Sequence, residues 1–214
     1  MMHSEKIVAE KLLQINAIRL NLQTPFTWAS GWKSPIYCDN RRILSFPFVR
    51  DFIKSEMSNV VFDTFADAEL IAGVATAGIP HGALVADQLK LPFIYVRAKA
   101  KGHGLGNRIE GVLDQGQKVV VIEDLVSTGG SSLQACAGLR EAGAEIAGLV
   151  SVFNYGFSVA AEAFREAGIP MYSLSNYDAL MEVALAKQLI TASEAESLAA
   201  WRQAPGEWGA TLKA

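Results

Sequence analysis

Apolar residues at Val8, Leu12, Ile15, Ile18 and Leu22 recur at steps of three and four, the spacing that lines one face of a helix, and predict a helix over about 4–22. A Ser-Gly turn at 30–31 between aromatic stretches predicts a hairpin over 26–38, and Pro47 opens a second predicted helix that runs to Phe65. The pattern then alternates. Apolar runs Leu70–Val74, Phe93–Val96, Lys118–Ile122 and Ile146–Phe153 read as strands, with helical stretches at about 79–90 and 129–142 between them. A helix at about 158–168, a short strand at about 171–175 and helices at about 177–188 and 192–203 follow. Strands alternating with helices imply an α/β fold, a parallel-sheet core flanked by helices, with ligands at the carboxyl ends of the strands. The 214 residues suit one domain: a hood of helix and hairpin at about 1–45, an α/β core at about 66–175, and C-terminal helices at about 176–205.

Composition narrows the function. Apolar residues make up 50% of the chain and charged ones only 19%, with a mean hydropathy of +0.21, which excludes disorder and suggests that part of the surface is covered in an oligomer. A net charge of −3 argues against non-specific binding to nucleic acid or anionic membrane, so any anion must be held by a local site. No apolar run approaches the roughly 18 residues of a membrane span. The N-terminus lacks a signal-peptide pattern, and a cytoplasmic address is expected. Cys38 and Cys136 stand far apart and in no metal-ligand spacing, which reads as buried or idle thiols.

One stretch carries most of the chemistry. The strand at 118–122 ends in the adjacent carboxylates Glu123 and Asp124, and a hydroxyl- and glycine-rich loop then opens a helix. Backbone N–H groups of Ser127 to Ser131 can converge on a phosphate at the helix start, and Gly129 and Gly130 let that backbone come close. Carboxylates beside a phosphate make sense if they hold sugar hydroxyls or a metal ion, a combination that describes a ribose 5-phosphate. A strand end followed by an N-cap and a glycine turn explains the same letters without a ligand. Two other phosphate loops are excluded. Gly111 and Gly116 have Walker A spacing, but Gln117 stands where lysine is required, and Gly102, Gly104 and Gly106 miss the dinucleotide spacing by one.

Between Val96 and Val112, Arg97, Lys99, Lys101, His103 and Arg108 face the single carboxylate Glu110 in a segment with four glycines. This is the composition of a cationic lid whose Lys101 and His103 neutralise a leaving diphosphate and whose closure excludes water. A solvated loop has the same composition. A third loop, Gly73 to Pro80, leaves its strand through small residues, including Thr76 and Ala77, and can wrap a diphosphate with backbone groups. All three loops follow strands and gather at one sheet edge.

Glu123-Asp-Leu-Val-Ser-Thr-Gly-Gly-Ser131 resembles the diphosphoribosyl-binding signature of the type I phosphoribosyltransferases. Ser30-Gly-Trp-Lys-Ser-Pro-Ile-Tyr37 and Arg97-Ala-Lys-Ala-Lys-Gly-His-Gly104 resemble the orotate-specific branch of that family. The resemblance implies the type I phosphoribosyltransferase fold. It implies transfer of a phosphoribosyl group from 5-phosphoribosyl-1-diphosphate to orotate, giving orotidine 5′-monophosphate and diphosphate. Mg²⁺ is implied as the cofactor, held mainly by substrate, with Asp124 as the candidate protein ligand. Carried over residue by residue, Ser127, Thr128, Gly129, Gly130 and Ser131 hold the 5′-phosphate, with Leu125 and Val126 leading into the loop. Asp124 with Glu123 faces the ribose hydroxyls. Arg97, Lys99, Lys101 and His103, with Thr76 and Ala77, take the diphosphate, and Lys101, His103 and Asp124 are the catalytic candidates. Ser127, Ile36, Tyr37, Lys33 and Tyr155 are the candidates for contact with orotate. The family pattern also implies a homodimer in which one subunit's lid closes on its neighbour's site.

The chain departs from that pattern at Ala29, Ala77 and Ala98, where many relatives carry lysine, and at Asn154-Tyr-Gly156, where some place an arginine. Two other readings share the phosphoribosyl apparatus. A purine or uracil transferase is disfavoured by the hairpin at 26–38. A non-catalytic regulator is disfavoured by the absence of a basic recognition helix in the first 70 or so residues.

Overall fold

The computed structural model describes residues 2–28, 31, 33–97 and 108–208. The chain opens with helix α1 (Met2–Gln14), which ends eight residues before the apolar periodicity predicts. Asn16 adopts a left-handed backbone with φ 54°, which ends the helix, and the apolar residues beyond it enter a strand instead. That strand, β1 (Ile18–Leu20), follows at once, then β2 (Phe26–Thr27), β3 (Lys33–Ser34) and β4 (Ile36–Cys38). The predicted hairpin is present as β2 against β3, with Phe26 opposite Ser34 and Thr27 opposite Lys33. A second antiparallel pair joins β1 to β4, with Arg19 opposite Tyr37. A 3₁₀ turn over Asn40–Ser45 leads on.

The core begins with α2 (Pro47–Thr64), whose first residue is the proline that a helix N-terminus tolerates because no partner is needed for its missing N–H. Then come β5 (Leu70–Val74), α3 (Gly78–Leu89), β6 (Phe93–Val96), β7 (Ile109–Glu110), β8 (Lys118–Val126), α4 (Gly130–Glu141), β9 (Glu145–Asn154), α5 (Ser158–Glu166) and β10 (Met171–Asn176). The sheet order is β10-β9-β8-β5-β6-β7. β5 is parallel to β6 and to β8, and β8 is parallel to β9. The short β7 returns antiparallel beside β6.

Alternation of side chains sorts the core onto two faces. Leu70, Ala72, Val119 and Val121 join Cys136 and Leu139 of α4 and Phe164 of α5 in one buried cluster. Ile71, Val120 and Ile122 point the other way, toward the side on which α2 and α3 pack. Val119 to Ile122 are all fully buried. At about 1.5–3 kcal/mol per buried aliphatic side chain, this central strand anchors the sheet that carries the loops.

The N-terminal elements up to Phe46 form one compact unit with residues 175–214, and Pro47–Leu174 form the other. In the first unit α1 packs on α6 (Tyr177–Ala186), and α7 (Ala192–Gln203) follows. Asn176 caps α6 by accepting the Ala179 N–H at 3.0 Å. Thr191 and Glu194 form a reciprocal capping box at α7. Trp201 is fully buried, with its ring edge-on to Trp28 at 5.7 Å.

Candidate active site

The acidic pair lies inside β8 and not beyond its end, because the strand continues through Val126. Glu123 stays in the ladder opposite Ser151 of β9, and Leu125 opposite Phe153. The strand tolerates a carboxyl there because its oxygens are engaged. One Oε accepts the Asp124 backbone N–H at 3.0 Å, and the other accepts the Ser132 hydroxyl of α4 at 3.0 Å. Glu123 is only 5% exposed. Burial, then the neighbouring charge of Asp124 and a hydrogen bond with it, pushes the Glu123 carboxyl well above the usual carboxylate range. Asp124 is half-buried. The two acids therefore differ: one is tied to a helix, the other lies nearer the surface.

After Val126 the chain opens into Ser127 and Thr128, half-buried and exposed, and turns at Gly129 with φ 82°. A Cβ on Gly129 would sit 2.9 Å from the Phe164 ring of α5. Glycine is required there both by the left-handed backbone and by the close packing. Gly130 and Ser131, both exposed, start α4, so the unpaired N–H groups of its first turn face outward from this loop.

The loop after β5 reaches the same edge. Ala75 and Ala77 are half-buried and Thr76 is exposed, and the Ala75–Thr76 peptide is cis. Gly78 then lies against β8: a Cβ built on it falls 2.5 Å from the Ile122 carbonyl oxygen and 3.3 Å from the Glu123 Cα. This contact sets the loop at 75–77 directly beside the acidic pair. At the third strand end, Arg97 donates through Nη1 to Glu110 at 3.3 Å, and its backbone N–H meets the Arg108 carbonyl at 2.8 Å. Those bonds close the base of the cationic segment. Lys99, Lys101 and His103, like Ala29, Ser30 and Ala98, lie outside the described residues.

In the other unit, Ile36 is fully buried, and its carbonyl accepts from Trp28 Nε1 at 3.1 Å and from Ser34 Oγ at 2.7 Å. Tyr37 is half-buried, and Lys33 is exposed with its Nζ on the Thr27 hydroxyl at 2.8 Å. Tyr155, in the core unit, is 2% exposed. Its ring stacks on Phe157 at 5.5 Å and meets Phe153 edge-on at 5.6 Å. Of the candidates for contact with orotate, Tyr155 and Ile36 are thus buried in packing, Tyr37 is half-buried and Lys33 is exposed.

Ser132 and Glu110 were not legible as site residues. Ser132 is an ordinary first-turn helix residue until the fold sets it against Glu123, and Glu110 is the one acid in a basic stretch. Cys136 is fully buried, and burial pushes its thiol up to about 12, which makes it packing and not a nucleophile. Among the described residues no three His, Cys, Asp or Glu side chains assemble into a metal cage.

Three strand ends thus bring together a phosphate-sized loop, an acid pair and a backbone loop in one unit. Comparison with known proteins says which family uses that arrangement. The model of the phosphoribosyl transferase domain matches residues 53–164. Orotate phosphoribosyltransferase of Bacteroides thetaiotaomicron is 52% identical over 98% of this chain and 99% of its own. The chain belongs to the orotate phosphoribosyltransferases. Among solved structures, the orotate phosphoribosyltransferase of Aeropyrum pernix is 29% identical with a TM-score of 0.73, over 82% of this chain and 96% of that one. Leishmania donovani UMP synthase is 27% identical with a TM-score of 0.77, and the match spans 92% of this chain but only 42% of that longer one. The bacterial relative matches the hood and the C-terminal helices as well as the core, which separates this chain from phosphoribosyltransferases that share the core alone.

Proposed function

We infer that the chain transfers the phosphoribosyl group of 5-phosphoribosyl-1-diphosphate to orotate, releasing orotidine 5′-monophosphate and diphosphate. The observation that carries this reading is the loop from Ser127 to Ser131, with outward N–H groups at a helix start, immediately after an acidic pair at a sheet edge. In this reading the loop holds the 5′-phosphate and Asp124 faces the ribose hydroxyls. Glu123 braces Asp124 through its backbone N–H and ties it to Ser132. Thr76 and Ala77 take the diphosphate with backbone groups, and Arg97, Lys99, Lys101 and His103 close over it.

The C1–O bond to diphosphate breaks and the N1–C1 bond to orotate forms, with the ribose passing through an oxocarbenium-like state. The N1 proton of orotate is released in the same step, to the departing diphosphate or to solvent. The protein aligns the two reactants, neutralises charge on the leaving group and keeps water out. Mg²⁺ fits the donor set, because an ion that arrives on a diphosphate needs only one or two carboxylates from the protein, and Asp124 can supply one. When bound, it stabilises the leaving diphosphate. A homodimer with lids exchanged between subunits and a cytoplasmic address belong to the same reading.

The test is product identity. With Mg²⁺, orotate and phosphoribosyl diphosphate, orotidine 5′-monophosphate and diphosphate should form in equal amounts, and chelation of Mg²⁺ should stop both. Loss of phosphoribosyl diphosphate at an unchanged rate without orotate would mean hydrolysis and would overturn the reading.

A further inference from the structure

Two described arginines stand where β6 ends and β7 begins, and only one of them is engaged. Arg97 donates through Nη1 to Glu110 at 3.3 Å. Arg108 is half-buried, and its carbonyl accepts the Arg97 backbone N–H at 2.8 Å, which fixes where its side chain starts. Among the described residues no oxygen accepts from its guanidinium. Arg108 lines a small cleft with Ala75, Arg97, Ser131 and Gln134. The free volume there is about 20 Å³, room for one oxygen atom and not for a separate ligand. Ser131 is the last residue of the loop that follows the acidic pair, and Gln134 stands one turn further along α4. The fold thus sets a guanidinium with open donors against the end of a loop that contains no cation, since residues 127–131 offer only N–H and hydroxyl groups.

We propose that Arg108 is the charge partner of the 5′-phosphate, pairing from the β7 side with the phosphate group held by the loop from Ser127 to Ser131, while Gln134 donates beside it. The proposal rests on reading that loop as the seat of a 5′-phosphate, and it gives a task to a basic residue that the sequence motifs leave without one. A phosphate monoester carries nearly two negative charges at neutral pH, and a helix N-terminus answers with only about half a charge. Asp124, three residues before Ser127, adds charge of the wrong sign. A guanidinium corrects that balance, and its planar fork matches two phosphate oxygens; lysine would keep the charge but lose the fork. Arg97 already has a carboxylate partner. The 5′-phosphate keeps its charge throughout the reaction, so Arg108 acts on ground state and transition state alike and governs binding, not turnover.

The experiment compares wild type, Arg108→Gln and Arg108→Lys by calorimetric titration with ribose 5-phosphate and with Mg²⁺-diphosphate, alongside steady-state kinetics and thermal midpoints that establish folding. Arg108→Gln should weaken ribose 5-phosphate by roughly 10- to 100-fold, the loss expected for a charge-assisted contact, with diphosphate within about threefold of wild type. The KM for phosphoribosyl diphosphate should rise by a similar factor, with kcat within about threefold. Arg108→Lys should recover part of the loss. Unchanged affinity of folded Arg108→Gln for ribose 5-phosphate, equal losses for ribose 5-phosphate and diphosphate, or a loss confined to kcat would overturn the proposal and leave the assigned function standing. Failure of the wild type to bind ribose 5-phosphate would overturn it too. A wild type that binds ribose 5-phosphate through Arg108 but leaves orotate unused would uphold the proposal and overturn the assigned reaction.

Discussion

Gly78 joins the loop at 75–77 to the acid strand, and replacing it with alanine separates them. The added Cβ would lie 2.5 Å from the Ile122 carbonyl oxygen, where ordinary contact begins at 3.4 Å. The shortfall is about 0.9 Å, and both partners are backbone, so no side-chain rotation relieves it. Either α3 moves off β8 or β8 bends. Overpacking of this kind costs about 1–3 kcal/mol, which in a chain of this size lowers the thermal midpoint by about 2–12 °C. The same shift carries Thr76 and Ala77 away from Asp124. A displacement near 1 Å at a reacting centre can lower kcat/KM about 100-fold, so activity should fall by more than the lost stability explains. The control is Gly138→Ala in α4, where nothing lies within 4 Å of the new Cβ. That change should stabilise by about 0.5–1 kcal/mol, the usual gain over glycine in a helix, and leave kcat/KM unchanged. Thermal denaturation and initial rates on the two variants decide the matter. A Gly78→Ala protein as stable and as active as wild type would refute the close approach of α3 to β8 and the loop placement that depends on it.

Further predictions concern pH and the lid. His81 of α3 is 3% exposed, its Nε2 has no partner among the described residues, and burial pulls its pKa down to about 4. The unfolded chain binds this proton near pH 6.5 and the native one does not, so stability should fall as pH drops from about 6.5 to 4, by up to about 3 kcal/mol; His81→Gln should flatten that limb in denaturation curves. Glu123 has the opposite sign. Its raised pKa means that the native state holds a proton the unfolded chain has released, so stability falls as pH rises above the ordinary glutamate range, and Glu123→Gln should remove that decline in the same measurement. Lys101→Ala should lower kcat by about 10² or more through lost stabilisation of the leaving diphosphate, and unchanged turnover at saturating substrate would show that the lid does no chemistry. If lids act across a dimer, mixing Lys101→Ala with Asp124→Asn subunits should restore activity to some heterodimers, and none should return if each site lies within one subunit.

The core was legible because its signals are long. Runs such as Val119 to Ile122 are continuous and apolar, as strands buried on both faces must be, and glycines or prolines punctuate the helices between them. The loop after β8 was legible for a similar reason, since Gly129 has a backbone conformation and a neighbour that only glycine accommodates. Short elements were not. β1 and β4 have three residues each, too few to show alternation, and the apolar spacing of α1 runs on through Ile15 and Ile18 although the helix has stopped. β8 extends through Glu123 because Ser132, nine residues on, satisfies the carboxyl. That partnership exists only in three dimensions.

The choice of base tests the central claim most directly. With phosphoribosyl diphosphate and Mg²⁺ held constant, kcat/KM should be measured separately for orotate, uracil, adenine and hypoxanthine. Orotate should exceed each of the others by orders of magnitude. Efficient consumption of a purine or of uracil, with orotate left untouched, would contradict the assignment.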